Sequence, residues 1–256
     1  MTTYVFDIDG TISKNGLKVH PVICNRISEL AEKSKVIFAS ARPVRDMLPM
    51  VSEALHSSIF IGCNGGMVWK SGKIILSHNL KSDFICRLLF TLNDLSIPYV
   101  LDGEWNYSVS IKPHPFHNYI RSLSDKEVPE KDILNEGITK VLILSGDHKQ
   151  LILNRFLSDN VSVHTHRNDG FYDFTPEGNN KYKTIKELIG EEDFIAFGND
   201  QNDFTMLQHA EVSVFVGDSS DFEGATYYTS TDYIPTLLNH IDKKNISKKE
   251  GSYGLL

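Results

Sequence analysis

The sequence predicts an α/β fold in which a doubly wound, Rossmann-like parallel sheet forms a core and an α+β domain is inserted into that core. Patterns of buried strands and amphipathic helices alternate near the N-terminus, β segments cluster in pairs in the middle of the chain, and the alternation then resumes. We therefore expect residues 1–81 and 174–256 to form the core and residues 82–173 to form the insert, placed over the core as a cap.

The first part of the core is predicted from short apolar runs separated by stretches with helical spacing. The expected elements, including a hairpin joined by Ser71-Gly72, are strand Tyr4–Phe6, helix Val22–Glu32, strand Lys35–Ala39, helix Val44–Leu55, strand Ile59–Gly62 and the hairpin strands Met67–Trp69 and Lys73–Leu76. This order is typical of parallel strands joined by right-handed crossovers.

The middle of the chain contains paired β segments, which favour an antiparallel sheet. Helices are expected at Ser82–Leu95, Phe116–Ser124 and Lys149–Leu157, and strands at Tyr99–Leu101, Tyr107–Ile111, Thr139–Ser145, Val161–His166 and Phe171–Phe174. No element is predicted in the charged stretch Asp125–Asp132. The alternation resumes with helix Lys181–Ile189, strand Phe194–Phe197, helix Asp203–His209, strands Val212–Val216 and Tyr227–Thr229, and helix Ile234–His240.

Composition excludes several classes of protein. The chain has 256 residues, of which 41% are hydrophobic and 23% charged, as in an ordinary globular protein. Its formal net charge of −7 argues against nucleic acid or an anionic membrane as the main partner. Cys24, Cys63 and Cys86 are scattered, which is typical of reduced thiols and not of a disulfide framework or zinc site. Because no apolar run is long enough for a membrane span and the first strand leaves no room for a signal peptide, we expect a cytoplasmic protein.

The first strand ends in two carboxylates, Asp7 and Asp9, followed by Gly10 and Thr11. Open α/β sheets bind ligands at the carboxyl ends of their strands. Two carboxylates this close both stay ionised only if a cation or a shared proton offsets their repulsion. Mg²⁺ suits such an oxygen pair, and aspartate is also a known nucleophile towards phosphoryl groups. The alternative is a plain Asx-type turn.

Two further clusters offer groups that could bind phosphate. Ser40 follows the second strand and precedes a predicted helix start, where a hydroxyl and backbone N–H groups can hold phosphate oxygens. The alternative is a simple Ser cap beside an exposed Arg42. Lys181 lies near the start of a helix, which is unfavourable for the helix dipole unless an anion is present. Its alternative is a solvated surface lysine, a description that fits Lys183 better.

The last cluster, Gly198–Asp203, follows another strand and contains Asn199, Asp200, Asn202 and Asp203 as possible oxygen ligands. Calcium loops also alternate Asp and Asn, but over a longer span that closes with Glu and is flanked by helices, so that template fails here. A capped turn is the other interpretation.

In this order, the four clusters resemble the haloacid dehalogenase superfamily, and in particular the Cof-like phosphatases. Those proteins carry D-x-D-G-T, then Thr or Ser followed by Gly-Arg-Pro, then a Lys after a P-x-G turn, then G-D-x-x-N-D. Asn64-Gly65-Gly66 and the long insert support the match. The resemblance covers roughly residues 1–80 and 174–240 and is much weaker in the insert.

The resemblance implies roles for individual residues. Asp7 would attack phosphorus, Asp9 would act as general acid and base, and Lys181 would offset charge. The implied phosphate-binding set is Gly10, Ser40, Ala41, Arg42, Asn64, Lys181 and Asn202. The implied ligands of Mg²⁺ are Asp7, the backbone carbonyl of Asp9, and Asn199 or Asp200. Asp203 would orient waters or Lys181 next to these ligands.

The sequence departs from the family pattern at two positions. Ala41 replaces the usual Gly, which matters little if its backbone does not need a positive φ. Asn199 stands where an ungapped match places the metal-binding Asp. Either Asn199 ligates the metal without supplying charge, or Asp200 takes that role after a small backbone shift, or the two share it.

The expected function is Mg²⁺-dependent hydrolysis of a small phosphorylated metabolite, such as a sugar phosphate, through an aspartyl-phosphate intermediate. Two alternatives stay open: a phosphosugar mutase or phosphotransferase of the same fold, and a non-catalytic sensor of a phosphometabolite.

Overall fold

The computed structural model describes residues 1–165 and 170–242. Its strands are β1 Thr3–Phe6, β2 Lys35–Ala39, β3 Ile59–Gly62, β4 Met67–Lys70, β5 Lys73–Ser77, β6 Tyr99–Asp102, β7 Tyr107–Val109, β8 Lys140–Ile143, β9 Val161–Thr165, β10 Tyr172–Pro176, β11 Phe194–Gly198, β12 Val212–Val216 and β13 Tyr227–Thr229. Its helices are α1 Pro21–Ala31, α2 Val44–Met47, α3 Ser82–Asp94, α4 Pro115–Leu123, α5 Glu130–Glu136, α6 Lys149–Arg155, α7 Lys181–Ile189 and α8 Phe204–Gln208, and residues 234–242 are also helical.

The chain divides into two compact units. Unit 1 comprises Met1–Phe38, Met50–Ser58 and Asp193–Leu256, and unit 2 comprises Ala39–Pro49 and Ile59–Glu192. Strand β2 belongs to both units, because its last residue, Ala39, falls in unit 2.

Unit 1 contains a parallel sheet with the strand order β13-β12-β11-β1-β2. All four residues of β1 are buried, as the continuous apolar sequence of a strand covered on both faces requires. The Phe6 and Phe197 rings stack 4.8 Å apart on the neighbouring strands β1 and β11. This register brings the carboxyl ends of those two strands together, with the Asp7 N–H donating to the Phe197 carbonyl at 2.9 Å.

Unit 2 contains two antiparallel arrangements. Strands β3, β4 and β5 are consecutive antiparallel neighbours, and a separate sheet has the order β7-β6-β8-β10-β9. All neighbours in that second sheet are antiparallel, and its strands share a buried apolar cluster with α3. The predicted α/β fold with an additional antiparallel α+β module is therefore confirmed, whereas the boundaries 82–173 stay a prediction.

Two local predictions need correction. The single helix expected at Val44–Leu55 is wrong: α2 ends at Met47, and single 3₁₀ turns follow at Leu48–Met50 and Glu53–Leu55. Pro49 explains the break, because it has no N–H to continue an α-helical ladder. Within the charged stretch, α5 forms where no element is predicted.

The predicted hairpin is confirmed, with Ser71 and Gly72 at φ of 50° and 84° in its turn. His166, at the end of one predicted strand, and the tail from residue 243 lie outside the described residues. In the described part of the chain, no helix is both long and apolar enough to span a membrane.

Candidate active site

The candidate site in unit 1 is a cluster of polar and acidic residues at the ends of β1 and β11. Its first member is Asp7, the first residue after β1. Its side chain is buried, with 4% of the residue exposed. The Thr11 hydroxyl donates to Asp7 Oδ2 at 2.8 Å. A buried carboxylate with a fixed hydrogen bond on one oxygen is held in a single orientation.

A tight turn after Asp7 brings the Asp9 backbone towards the end of β11. The Ile8 carbonyl accepts from the N–H groups of Thr11, Ile12 and Ser13, which wraps the chain around one oxygen. Gly10 has a φ of +79°, and a Cβ there would collide with the Asn199 amide. Gly10 is therefore needed both for its backbone conformation and for the close approach of Asn199.

Asn199 follows β11 and presents one terminal atom of its amide to this turn. That atom lies 2.9 Å from the Asp9 carbonyl oxygen, 3.2 Å from Asp7 Oδ2 and 3.0 Å from the Thr11 hydroxyl. If the atom is the amide nitrogen, it can donate hydrogen bonds to these oxygens. If it is the amide oxygen, it forms a cluster with two other oxygens that carry no proton.

The orientation that places the Asn199 amide oxygen towards the turn fits a cation. Mg²⁺ holds its ligands near 2.1 Å in an octahedron, so that neighbouring oxygens lie about 3.0 Å apart. The separations of 2.9 and 3.2 Å to Asp9 and Asp7 match that spacing. Among the described residues, no group of three or more His, Cys, Asp or Glu side chains is placed to hold a metal. A metal here would therefore depend on the Asp9 carbonyl and the Asn199 amide in addition to Asp7.

Asp200 and Asp203 shape the loop after β11. The Asp203 carboxylate is fully buried and accepts from the N–H groups of Asn199 at 3.0 Å and Asp200 at 3.2 Å. The Asp200 carboxylate accepts from the Gln201 N–H at 2.7 Å, as a cap does. Asn202 is half-buried in the same loop. In this arrangement the Asn199 side chain approaches Asp7 and Asp9, while the Asp200 carboxylate accepts from its neighbour Gln201.

Unit 2 contains five of the seven residues predicted to bind phosphate, beginning with the Ser40–Arg42 loop that follows β2, whereas Gly10 and Asn202 lie in unit 1. Ser40 is buried, and its Oγ accepts from the Arg42 N–H at 3.1 Å. The buried Asn64 donates its backbone N–H to the Ser40 carbonyl at 3.1 Å. Asn64 has a φ of 55°, so the Asn64-Gly65-Gly66 match marks a left-handed turn against this loop.

Lys181 is the first residue of α7 and is only 1% exposed, which makes the alternative of a solvated surface lysine wrong for it. Lys183 is exposed, as expected. The Asn180 side chain caps the helix by accepting from the Lys183 N–H at 2.8 Å. Thr184 donates to the Gly65 carbonyl at 2.8 Å, which fastens the helix start to the Asn64 turn.

Sequence reasoning missed two groups of unit 2 that contact the Ser40–Arg42 loop. The Arg42 guanidinium donates to the Tyr119 hydroxyl at 3.0 Å, and the Lys140 ammonium donates to the Ala41 carbonyl at 3.2 Å. Lys140 carries a signal in the sequence, because it is a charged residue at the start of the buried strand β8. Tyr119 carries none, since an aromatic residue on an amphipathic helix is ordinary.

The fold and these residues define the class of protein. The sequence model of the haloacid dehalogenase-like hydrolase family matches residues 4–231 of this chain. The chain therefore belongs to that family of enzymes. The resemblance predicted from the motifs is thus confirmed.

One named relative and two solved structures are similar to this chain, and the structures show the same fold. The chain is 28% identical over 225 residues to YkrA of Bacillus subtilis (strain 168), a protein provisionally named a phosphatase, with 84% of this chain and 85% of YkrA covered. The structure of TM0651 from Thermotoga maritima has a TM-score of 0.79 at 20% identity, covering 94% of this chain and 97% of that one. The subclass IIB sugar phosphatase BT4131 has a TM-score of 0.75 at 20% identity, covering 94% and 99%.

Proposed function

We propose that the protein is a Mg²⁺-dependent phosphatase that hydrolyses a small phosphorylated metabolite, such as a sugar phosphate, with Asp7 as the nucleophile. The observation that carries this proposal is the convergence of the buried Asp7 carboxylate, the Asp9 carbonyl and the Asn199 amide at the ends of β1 and β11. Family membership supports it, and so does the name of YkrA. The fold shared with the sugar phosphatase BT4131 is the reason for naming sugar phosphates as the first class to examine.

In the proposed reaction, an Asp7 carboxylate oxygen attacks phosphorus and the bond to the leaving alcohol breaks. Asp9, half-exposed in the turn, gives the departing oxygen a proton. It then takes a proton from water as that water attacks the phospho-aspartate, which releases inorganic phosphate and restores Asp7. Thr11 keeps the other Asp7 oxygen engaged throughout.

A bound Mg²⁺ would offset the charge that develops on the phosphoryl oxygens. We assign it to Asp7, the Asp9 carbonyl and Asn199, with Asp203 fixing the backbone of the third ligand. Asp200 has the weaker claim, because its carboxylate caps its own loop.

We assign phosphate binding to the set that the family resemblance implies, namely Gly10, Ser40, the backbone of Ala41, Arg42, Asn64, Lys181 and Asn202. Phosphoryl transfer depends mainly on such positioning and charge neutralisation. We further propose that residues 82–173 select the substrate and that the enzyme acts in the cytoplasm.

Hydrolysis of a generic aryl phosphate, measured with Mg²⁺ and with excess chelator, tests the proposal. Asp7→Asn should abolish turnover because an amide cannot form the phospho-enzyme, and Asp9→Asn should lower it about 10²–10⁴-fold. The exposed Asp193→Asn is the matched control and should behave like the wild type. Wild-type rates in Asp7→Asn would refute this mechanism, and turnover that Asp7→Asn abolishes would exclude the sensor. Transfer of phosphate back to a sugar would favour the mutase.

A further inference from the structure

All three carbonyl groups of the Ser40–Arg42 loop are held by donors within unit 2. The Ser40 carbonyl accepts from the Asn64 N–H at 3.1 Å, and the Arg42 carbonyl accepts from the Cys63 N–H at 2.9 Å. The middle carbonyl, that of Ala41, accepts from the Lys140 ammonium at 3.2 Å. The loop therefore has a fixed backbone, and its central carbonyl depends on a single side chain.

The peptide between Ala41 and Arg42 connects that side chain to the Ser40 hydroxyl. Its carbonyl accepts from Lys140, while its N–H, on the opposite side of the same rigid plane, donates to Ser40 Oγ at 3.1 Å. Because Ser40 Oγ is an acceptor in this bond, its own proton points elsewhere. In the part of the chain that the structure describes, no protein group accepts that proton, although Ser40 is buried. The hydroxyl is thus left ready to donate to a bound anion.

Lys140 is itself fixed by the antiparallel sheet. It is buried at the start of β8, and its ammonium lies 3.5 Å from Asp102 Oδ2 on β6 and 3.8 Å from Asp173 Oδ1 on β10. Burial works to lower the pKa of Lys140, but the carboxylates of Asp173 and Asp102 outweigh it and raise that pKa above its ordinary value. The side chain therefore stays a charged donor.

The same network reaches the helix that follows the loop. Asp102 Oδ1 accepts from the Arg45 guanidinium at 2.7 Å, and Arg45 on α2 also pairs with Asp46 at 2.8 and 3.1 Å. Burying so many charges gains little stability over an apolar core of the same size. Because stability does not account for these buried charges, we look for their role in holding the Ser40–Arg42 loop.

We propose that Lys140 is a positioning residue of the phosphate site, acting through the Ala41–Arg42 peptide to orient the Ser40 hydroxyl towards phosphate. The inference rests on the proposed function. Through Lys140, strand β8 of the antiparallel sheet would take part in binding the phosphate group, which all phosphorylated substrates have in common.

The test is a cycle of variants. Lys140→Met alone would remove a positive charge from beside the buried carboxylates of Asp102 and Asp173 and endanger folding. The double variant K140M/D173N removes one positive and one negative charge together, which leaves the net charge of the network unchanged. Ile143→Ala, on the same buried strand, is the control for destabilisation without contact to the loop. Each protein is characterised by thermal unfolding, by KM and kcat with an aryl phosphate, and by the inhibition constant of inorganic phosphate.

We expect K140M/D173N to raise the inhibition constant of phosphate about 10–100-fold, the same range as when a group that orients a metal ligand is lost. Ile143→Ala should leave the inhibition constant of phosphate nearly unchanged, even if it lowers the melting temperature as much as K140M/D173N does. In a Ser40→Ala background, the double variant should add less than about 2-fold, because the effect passes through the hydroxyl that is already missing.

Equal losses in both backgrounds would overturn the inference, as would an unchanged inhibition constant in K140M/D173N. If that variant does not fold, K140L/D173N replaces it, since leucine likewise removes both the donor and the charge, and the same criteria then apply. A wild-type protein that neither hydrolyses aryl phosphate nor binds inorganic phosphate would instead refute the proposed function itself. The two failures are therefore distinguishable.

Discussion

The side-chain amide of Asn199 lies 2.9 Å from the backbone carbonyl oxygen of Asp9. With nitrogen at that point the contact is a hydrogen bond, and with oxygen its length would suit two neighbouring ligands of a cation. An aspartate at the same place has no nitrogen to offer. Asn199 therefore gives this chain a way to satisfy the Asp9 carbonyl and Asp7 in the absence of metal.

Asn199→Asp should change the metal-free and metal-bound proteins in opposite directions. Without metal, a second carboxylate beside Asp7 adds like-charge repulsion, so the melting temperature should fall. With Mg²⁺ the added charge strengthens attraction to the cation, so both the rise in melting temperature and the apparent Mg²⁺ affinity should increase. Thermal unfolding across a Mg²⁺ titration measures both effects.

Asp200→Ala is the matched variant on the neighbouring residue. If Asn199 is the ligand, Asp200→Ala should keep activity and a wild-type response to Mg²⁺. Loss of both in Asp200→Ala, together with no gain in Asn199→Asp, would reassign the metal site to Asp200.

The parts of the fold that the sequence predicts correctly are those with a strong local pattern. Strands β2 and β3 and helix α7 have the predicted bounds, because short apolar runs and helical spacing are local properties. Helix α2 ends early because a single residue, Pro49, overrides an otherwise helical pattern.

The contacts that complete the candidate site could not be predicted in the same way. Lys140 meets Ala41 across 99 positions of the chain, and such a contact depends on the pairing order of strands. The choice between Asn199 and Asp200 likewise depends on which side chain the turn directs towards Asp7, and the sequence pattern, which favours Asn199, leaves Asp200 open.

Asp203→Ala should destabilise the protein by about 2–3 kcal/mol, because a charged acceptor of hydrogen bonds is lost and two backbone N–H groups lose their partner. Urea unfolding at neutral pH measures this change. The exposed Asp193→Ala is the control in the same unit and should stay near the wild-type midpoint. A midpoint for Asp203→Ala equal to that of the control would contradict the role of Asp203 in shaping the loop.

The three cysteines should differ sharply in reactivity towards a thiol reagent. Cys86 on α3 is exposed, whereas Cys24 and Cys63 are buried, and burial raises the pKa of the Cys63 thiol to about 12. Because the thiolate is the reactive form, only Cys86 should react quickly in the folded protein. Denaturant should release the other two, and Cys86→Ser should abolish the fast phase. A fast phase that persists in Cys86→Ser would contradict the buried position of the others.

His117 should make the stability of the protein fall at acidic pH. Burial is the main cause that lowers the pKa of His117 below its ordinary value, and the nearby Arg121 adds to the effect. As the pH drops below about 6.5, the unfolded chain takes up a proton that the folded chain resists, so stability is lost by at most about 1.4 kcal/mol per pH unit. His117 Nδ1 also accepts from the His114 N–H at 3.3 Å, a bond that protonation would break.

His117→Gln isolates this contribution, because glutamine at the third position of α4 can keep the capping bond without titrating. The difference between the urea midpoints at pH 7.5 and 5.5 should be smaller in His117→Gln than in the wild type. The exposed His240→Gln should leave that difference unchanged. If His117→Gln shows the full wild-type loss of stability between the two pH values, the acid sensitivity arises from other groups and the assignment to His117 is wrong.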